Sequence, residues 1–202
     1  MTVRGSVFRF RVALRGVVPP IWREIEVPAS YSLWDLHVAI QDAMGWEDRH
    51  LHMFVFERDP SGQKAEVGIP DPDLPPGTDS VLAGWELRIA EYFSESGSTA
   101  EYKYDFGDGW QHDVTLAAIV PRAKGARYPR CTGGERACPP EDCGGIGGYA
   151  RLLDIIFDPR HEEFETMRAW IGRRFEPEAF SPAAVRFDNP KRRWKRAFES
   201  DE

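Results

Sequence analysis

This 202-residue sequence contains no apolar run approaching the roughly 20 residues that span a bilayer. Its opening, "MTVRGSVFRFRVALRG", places arginines between its apolar residues. It therefore lacks the continuous apolar core of a secretory signal, and the chain reads as cytoplasmic. Cysteine is scarce and odd in number: three residues, all within 131–143. That excludes a disulfide framework in a reducing compartment and leaves metal binding or plain thiols. Positive charge is in deficit, with 26 Lys and Arg against 33 Asp and Glu, a net charge of -7. An acidic surface repels phosphate backbones and disfavours general nucleic-acid binding. The local exception is "KRRWKR", Lys191–Arg196, with five positive side chains around one tryptophan. It reads as a solvated or ion-paired helix end, or as the one route to nucleic acid. There is no internal repeat, no phosphate-binding P-loop, no GxGxxG after a strand and no serine in a nucleophile elbow.

What is present is strong periodicity. "VFRFRVALRGV" sets Phe8, Phe10, Val12 and Leu14 on one face of a half-buried strand, and "IWREIEV", 21–27, returns as its partner. Ser32 begins a helix, with Asp35 completing a capping-box pattern. Leu33, Leu36, Ile40 and Met44 recur at helical spacing before Gly45. "HLHMFVFER" is the next strand. Strand, strand, helix, strand predicts an α+β fold: a β-grasp-like mixed sheet with a crossing helix, and C-terminal helices packed on it. Residues 59–80 read as a Pro/Gly/Asp loop insertion, and 85–89 as a short strand followed by one helical turn. "AEYKYDF" and "WQHDVTLAAIV" predict a hairpin turning at Asp108-Gly109, with Tyr102, Tyr104 and Phe106 on its buried side. Residues 121–148 form an irregular Cys/Pro/Gly loop, and 149–198 a helical part, the last short helix capped by Ser181. The whole is expected to be one domain.

Six ordered blocks carry a resemblance: "PPIWREIEVP", "LHVAIQDAMGW", "HLHMFVF", "YDFGDGWQHDV", "CPPEDCGGIGGY" and the WIGxxFxPEAF pattern after Ala169. Together they are similar to the plasmid pRiA4b ORF-3-like family, over about Phe8 to Val185. The resemblance implies an α+β sheet with helices on one side and an association with mobile elements. It implies no reaction, and no recombinase serine or DDE-type triad is evident.

Four polar constellations are candidates for a site. His50 and His52 are spaced to share a strand face and one metal ion, or else to flank a core strand. Asp105 and Asp108 with His112 read as cation ligands and a base, or as a turn with a buried Asp–His pair. The twelve-residue calcium-loop pattern is absent there. Cys131, Cys138 and Cys143 are separated by six and four residues, and the second gap suits zinc, with His161 or a sheet histidine as fourth ligand. The alternative is a loop of small buried residues. In "PPEDCGG" the prolines and glycines hold Glu141 and Asp142 on a rigid corner.

Two functional classes follow. One is a binding or adaptor module for an unidentified protein or small ligand, using Trp110, Tyr104 and Arg136 around the acidic loops. The other is a divalent-metal-dependent hydrolase, for instance of phosphoesters, with zinc or another divalent cation among Asp105, Asp108, Glu141, Asp142 and the histidines His50, His52 and His112. They differ in whether these side chains converge on one centre. "YDFGDGW" and "CPPEDCGG" are expected to face each other, with Arg136 or His112 among their carboxylates.

Overall fold

The computed structural model describes residues 5–75, 81–172 and 174–199. The chain opens with β1 (Ser6–Leu14) and β2 (Trp22–Pro28), an antiparallel hairpin, followed by helix α1 (Leu33–Met44). Alternation in β1 sends Phe8, Phe10, Val12 and Leu14 inward. Helix α1 starts as its sequence dictates. The Ser32 hydroxyl accepts the Asp35 N–H, the Asp35 carboxylate accepts the Ser32 N–H, and Gly45 ends the helix in the left-handed conformation.

Strands β3 (His52–Phe56), β4 (Ala65–Gly68) and β5 (Val81–Ala83) come next, then the single turn α2 (Ile89–Tyr92). The long hairpin β6 (Thr99–Tyr104) and β7 (Trp110–Pro121) is followed by β8 (Arg130–Glu135). All eight strands join one sheet in the order β5-β4-β3-β6-β7-β1-β2-β8. Every pairing is antiparallel except the edge pair β4–β5, so the sheet is mixed. The opening runs strand, strand, helix, strand as expected, and the finished eight-stranded sheet is wider than a β-grasp-like pattern.

Helices α3 (Gly145–Phe157) and α4 (Phe164–Ile171), a 3-10 turn (Pro182–Ala184) and α5 (Pro190–Phe198) complete the chain. Tyr149, Leu152 and Ile156 of α3 enter the main core. Helix α5 is fixed to α1: Arg193 pairs with Asp42 at 2.6 Å, and the Trp194 ring meets Trp34 edge-on at 5.4 Å. Arg193 also reaches Asp48 and Asp188, and Arg196 reaches Asp188. The basic tail is thus partly consumed in holding the helix down.

Several local expectations need correction. The 59–80 insertion contains β4, whose four residues pair with β3, while residues 76–80 lie outside the described residues. The strand expected at 85–89 lies earlier, at Val81–Ala83, and the chain turns at 84–86. The 121–148 loop contains β8, an edge strand on β2. Phe106 is 54% exposed at the hairpin tip, because the chain leaves the sheet after Tyr104. Ser181 makes no side-chain cap. No helix among the described residues is long and apolar enough to cross a membrane.

Candidate functional site

Three irregular segments meet at one end of the sheet. They are the lead-in to β3 with His50, the β6–β7 turn with Asp105–Gly109, and the Pro139–Gly144 approach to α3. The turn is built by Asp105 itself. Its Oδ1 accepts the N–H groups of Gly107 (3.0 Å) and Asp108 (3.2 Å), and its carbonyl accepts the Gly109 N–H at 2.7 Å. The other oxygen, Oδ2, is left facing His50 Nε2 at 3.5 Å. Asp142 Oδ1 lies 2.9 Å from the same nitrogen, and Glu141 Oε2 lies 4.0 Å from it. One ligand atom each from His50, Asp105 and Asp142 fall within 4.8 Å of one another. Donors around a tetrahedral zinc, each about 2.1 Å from the ion, are about 3.4 Å apart. The separations at His50 bracket that value.

The arrangement is held from beneath. Glu141 Oε1 accepts the Tyr104 hydroxyl at 2.9 Å and the Glu47 N–H at 2.8 Å, which commits that oxygen and leaves Oε2 toward the site. The Tyr104 hydroxyl in turn accepts the Arg49 N–H at 3.1 Å. Burial, and then its bond to Glu141, hold the Tyr104 phenol far above its usual range, so it remains a donor. The Trp46 indole stacks on Tyr104 at 4.9 Å and donates to the Pro139 carbonyl at 2.9 Å, tying the acidic loop to the core.

Two of the four non-glycine residues with positive φ among the described residues lie here. Asp105 (φ 53°) and Asp142 (φ 57°) both adopt the left-handed region, which non-glycine residues occupy at some cost. The two loops also touch directly. Asp108 Oδ2 accepts the Gly144 N–H at 3.1 Å, and a Cβ on Gly145 would stand 2.3 Å from the Asp108 carbonyl oxygen. Gly145 is therefore required both for its φ of +66° and for this close approach.

The other expected site residues lie elsewhere. His52 is buried on α1's side, stacked on His37 with ring centres 3.4 Å apart. It shares no partner with His50, because His50 precedes the strand and escapes its alternation. His112 has no aspartate partner; its Nδ1 is 3.3 Å from the Tyr102 carbonyl and its Nε2 lacks a partner. Burial pushes its imidazole down to about 4, the bond to Tyr102 opposing. Arg136 is drawn away to Glu178 and the Pro19 carbonyl, both at 2.7 Å, so His50 is the basic side chain among the carboxylates. Trp110 is 1% exposed and offers no binding surface. No cysteine belongs to a ligand cluster among the described residues. Burial pushes the thiols of Cys131 and Cys138 up, and that of Cys143 up to about 12. His161 Nδ1 is occupied by the Glu163 N–H at 3.1 Å.

Tyr104's service to Glu141 is not marked by the sequence, nor is a second polar chain close beside it. There His37 bridges the Tyr102 hydroxyl and Asp48 Oδ1, each at 2.8 Å, and Gln41 donates to the same hydroxyl. The available signal is His37's position, four residues after Leu33 and three before Ile40 on the apolar stripe of α1.

Beside the rim runs a cleft of about 990 Å³, bordered by Glu141 and Asp142 and walled by the end of α1, residues 137–140, Trp170, Ile171 and side chains between Phe175 and Arg186. Comparison with known proteins agrees with this whole architecture. The plasmid pRiA4b ORF-3-like protein family matches residues 6–184. The uncharacterized protein y4hQ of Sinorhizobium fredii (strain NBRC 101917 / NGR234) is 33% identical over 169 residues, spanning 83% of this chain and 82% of that one. The crystal structure of a protein of unknown function, MM3350 from Methanosarcina mazei Go1, superposes with a TM-score of 0.81. It shares 39% identity and covers 90% of this chain and 98% of its own. The chain belongs to the plasmid pRiA4b ORF-3-like family.

Proposed function

We propose that His50, Asp105 and Asp142 form a divalent-cation centre, and that the protein is a metal-dependent hydrolase acting on a small ligand held in the adjoining cleft. The observation that carries this reading is convergence: three ligand atoms from three separate segments lie within 4.8 Å of one another. A binding module requires no such meeting; a hydrolytic centre does. The donor set, one imidazole and two carboxylates, suits zinc or manganese more than calcium, which prefers an all-oxygen shell. A cation there supplies Lewis-acid chemistry. Glu141, whose Oε1 is committed to Tyr104 and Glu47, keeps Oε2 available to take a proton from water at that centre. Asp108 is a positioning residue, holding the Gly144 end of the acidic loop. A cytoplasmic setting and a link to mobile elements belong with this reading, and neither bears on the chemistry.

Calorimetric titration of metal-stripped protein with Zn²⁺ and Mn²⁺ tests the centre. One saturable site per chain is expected, weakened about tenfold or more by His50→Ala or Asp105→Asn. Glu141→Gln should keep the cation and lose turnover in a screen of chromogenic phosphoesters and esters. Absence of saturable binding by either ion overturns the reading. Cation binding with no hydrolysis of any ester returns the protein to the adaptor class.

A further inference from the structure

A second unbalanced charge borders the same cleft. Arg23 of β2 is 1% exposed and lines the cleft wall. Its Nε donates to the Ala43 carbonyl at 2.8 Å, and its Nη1 to the Trp22 and Glu135 carbonyls at 2.8 and 2.9 Å. The Phe180 ring lies 3.8 Å from the guanidinium carbon. These partners are neutral. No carboxylate pairs with Arg23 among the described residues, and its Nη2 makes no hydrogen bond with them yet is not among their fully buried unpartnered atoms, so that edge keeps some exposure. The thiols near it, Cys138 and Cys131, are kept protonated by burial and bring no compensating charge.

Burying a charge is costly unless an opposite charge or a full set of hydrogen bonds answers it. Here three donors are spent on fixing the guanidinium, and the remaining edge is unanswered. A planar, immobilised guanidinium is a ready seat for a carboxylate or phosphate, since little rotamer freedom remains to be lost on binding. The cleft also carries Arg49 and Arg186, and part of its wall is apolar: Trp46, Phe175, Val185 and the 49% exposed Trp170 face it, and its volume is that of a small-molecule site.

We propose that the cleft binds a small organic oxyanion, a phosphate or a carboxylate carried on an aromatic or other apolar body, with the anionic group seated on Arg23. Arg23 is not one of the cation-centre residues. The seat therefore does not depend on a bound metal, and either proposal can fail alone.

The test is calorimetry on the full chain in EDTA, with phenyl phosphate, benzoate and neutral benzyl alcohol as probes. Saturable binding of at least one anion, one per chain, is expected; the tighter of the two identifies the oxyanion, and benzyl alcohol should not bind. Arg23→Met should weaken that anion about tenfold or more, as for loss of a charge-assisted hydrogen bond. Ala184→Trp, at an exposed cleft-wall position, leaves Arg23 intact and should block the site. Should Arg23→Met fail to fold, Ala184→Trp and the ¹⁵N shift of the wild-type Arg23 guanidinium during titration decide the matter. The proposal is overturned if neither anion binds, if benzyl alcohol binds as well, or if the folded variants bind as the wild type does. Arg23 would then be a strut between β2, α1 and β8.

Discussion

Acid should unfold this protein earlier than its carboxylates alone would require, and His112 supplies the first part of the reason. It is 0% exposed, and burial lowers its imidazole to about 4, with the Tyr102 carbonyl opposing and Arg15 adding to the effect. In the unfolded chain a histidine titrates near 6.5. Between those values the unfolded state carries a proton that the folded state refuses. The contribution is therefore complete above about pH 6.5 and is lost as pH falls toward 4. One such proton costs about 1.4 kcal/mol per pH unit, or about 3 kcal/mol across the window. His52, also buried, is lowered well below its ordinary value, by burial first and then by the charge of His37 stacked on it, so it steepens the same slope. Asp48 acts lower down. Burial raises it, but the bond and charge of His37 and the charge of Arg193 outweigh burial, so its share is lost below its ordinary range. Set against the roughly 5–15 kcal/mol of a typical domain, the histidines are decisive. The assay is urea unfolding at half-unit steps from pH 7.5 to 4.5 for the wild type and His112→Gln. Stability of the variant should fall less steeply by about one proton, with m unchanged. Parallel slopes would refute the reasoning, because His112 would then titrate alike in both states.

Other outcomes follow from the same contacts. Trp110→Ala should cost about 3–5 kcal/mol by urea midpoint, as a fully buried aromatic, against about 1 kcal/mol for Asp108→Ala, which loses one exposed bond to Gly144. Gly145→Ala should lower the midpoint by at least about 1 kcal/mol and weaken Mn²⁺ in the same calorimetric titration, because the new Cβ must push Asp108 away from the acidic loop. An unaffected Mn²⁺ isotherm would mean that the contact between the loops does not support the site.

The elements legible in the sequence are those whose local rules agree with their packing. Helix α1 has its capping box, stripe and glycine stop, and all three are used. Strand β1 alternates because one face is core and the other carries the Arg9–Glu26 pair. Strands β4 and β8 are not legible, since "AEVG" and "RCTGGE" are short, glycine-bearing and lie at or near the sheet's edges, where pairing depends on the neighbour rather than on the strand's own side chains. The site divides in the same way. Glycine and proline around Asp105 and Asp142 mark both as held on turns, and the two turns do meet. That His50 completes them without His52 depends on where β3 begins, whereas alternation sets the two histidines together on one face. Alternation sets Arg23 on the inward face with Ile21, Ile25 and Val27, where a charge is unexpected. The ring that covers it, Phe180, lies about 150 residues later, and no local pattern connects the two.

Charge balance links the rim to the cleft wall. At the rim, Asp105, Glu141 and Asp142 crowd one imidazole, and Asp108 lies close by on the same turn. Even with that histidine protonated, the cluster is left with excess negative charge. At the wall, Arg23 is a fixed positive charge without an acid. Neither excess is relieved by the other through any direct contact among the described residues, although both border one cleft. An ion pair drawn into a partly dry wall loses hydration as it gains attraction, so bringing the two charges together would not of itself stabilise the fold. Two left-handed aspartates stand at the rim and the buried guanidinium at the wall. Separated charges of opposite sign on one cleft are complementary to a cation at the first and an oxyanion at the second. An anionic ester with an apolar body is therefore the substrate class that answers both proposals at once. It also supplies a joint test: if both sites are real and are bridged by one ligand, Mn²⁺ should tighten phenyl phosphate, and phenyl phosphate should tighten Mn²⁺ by the same factor.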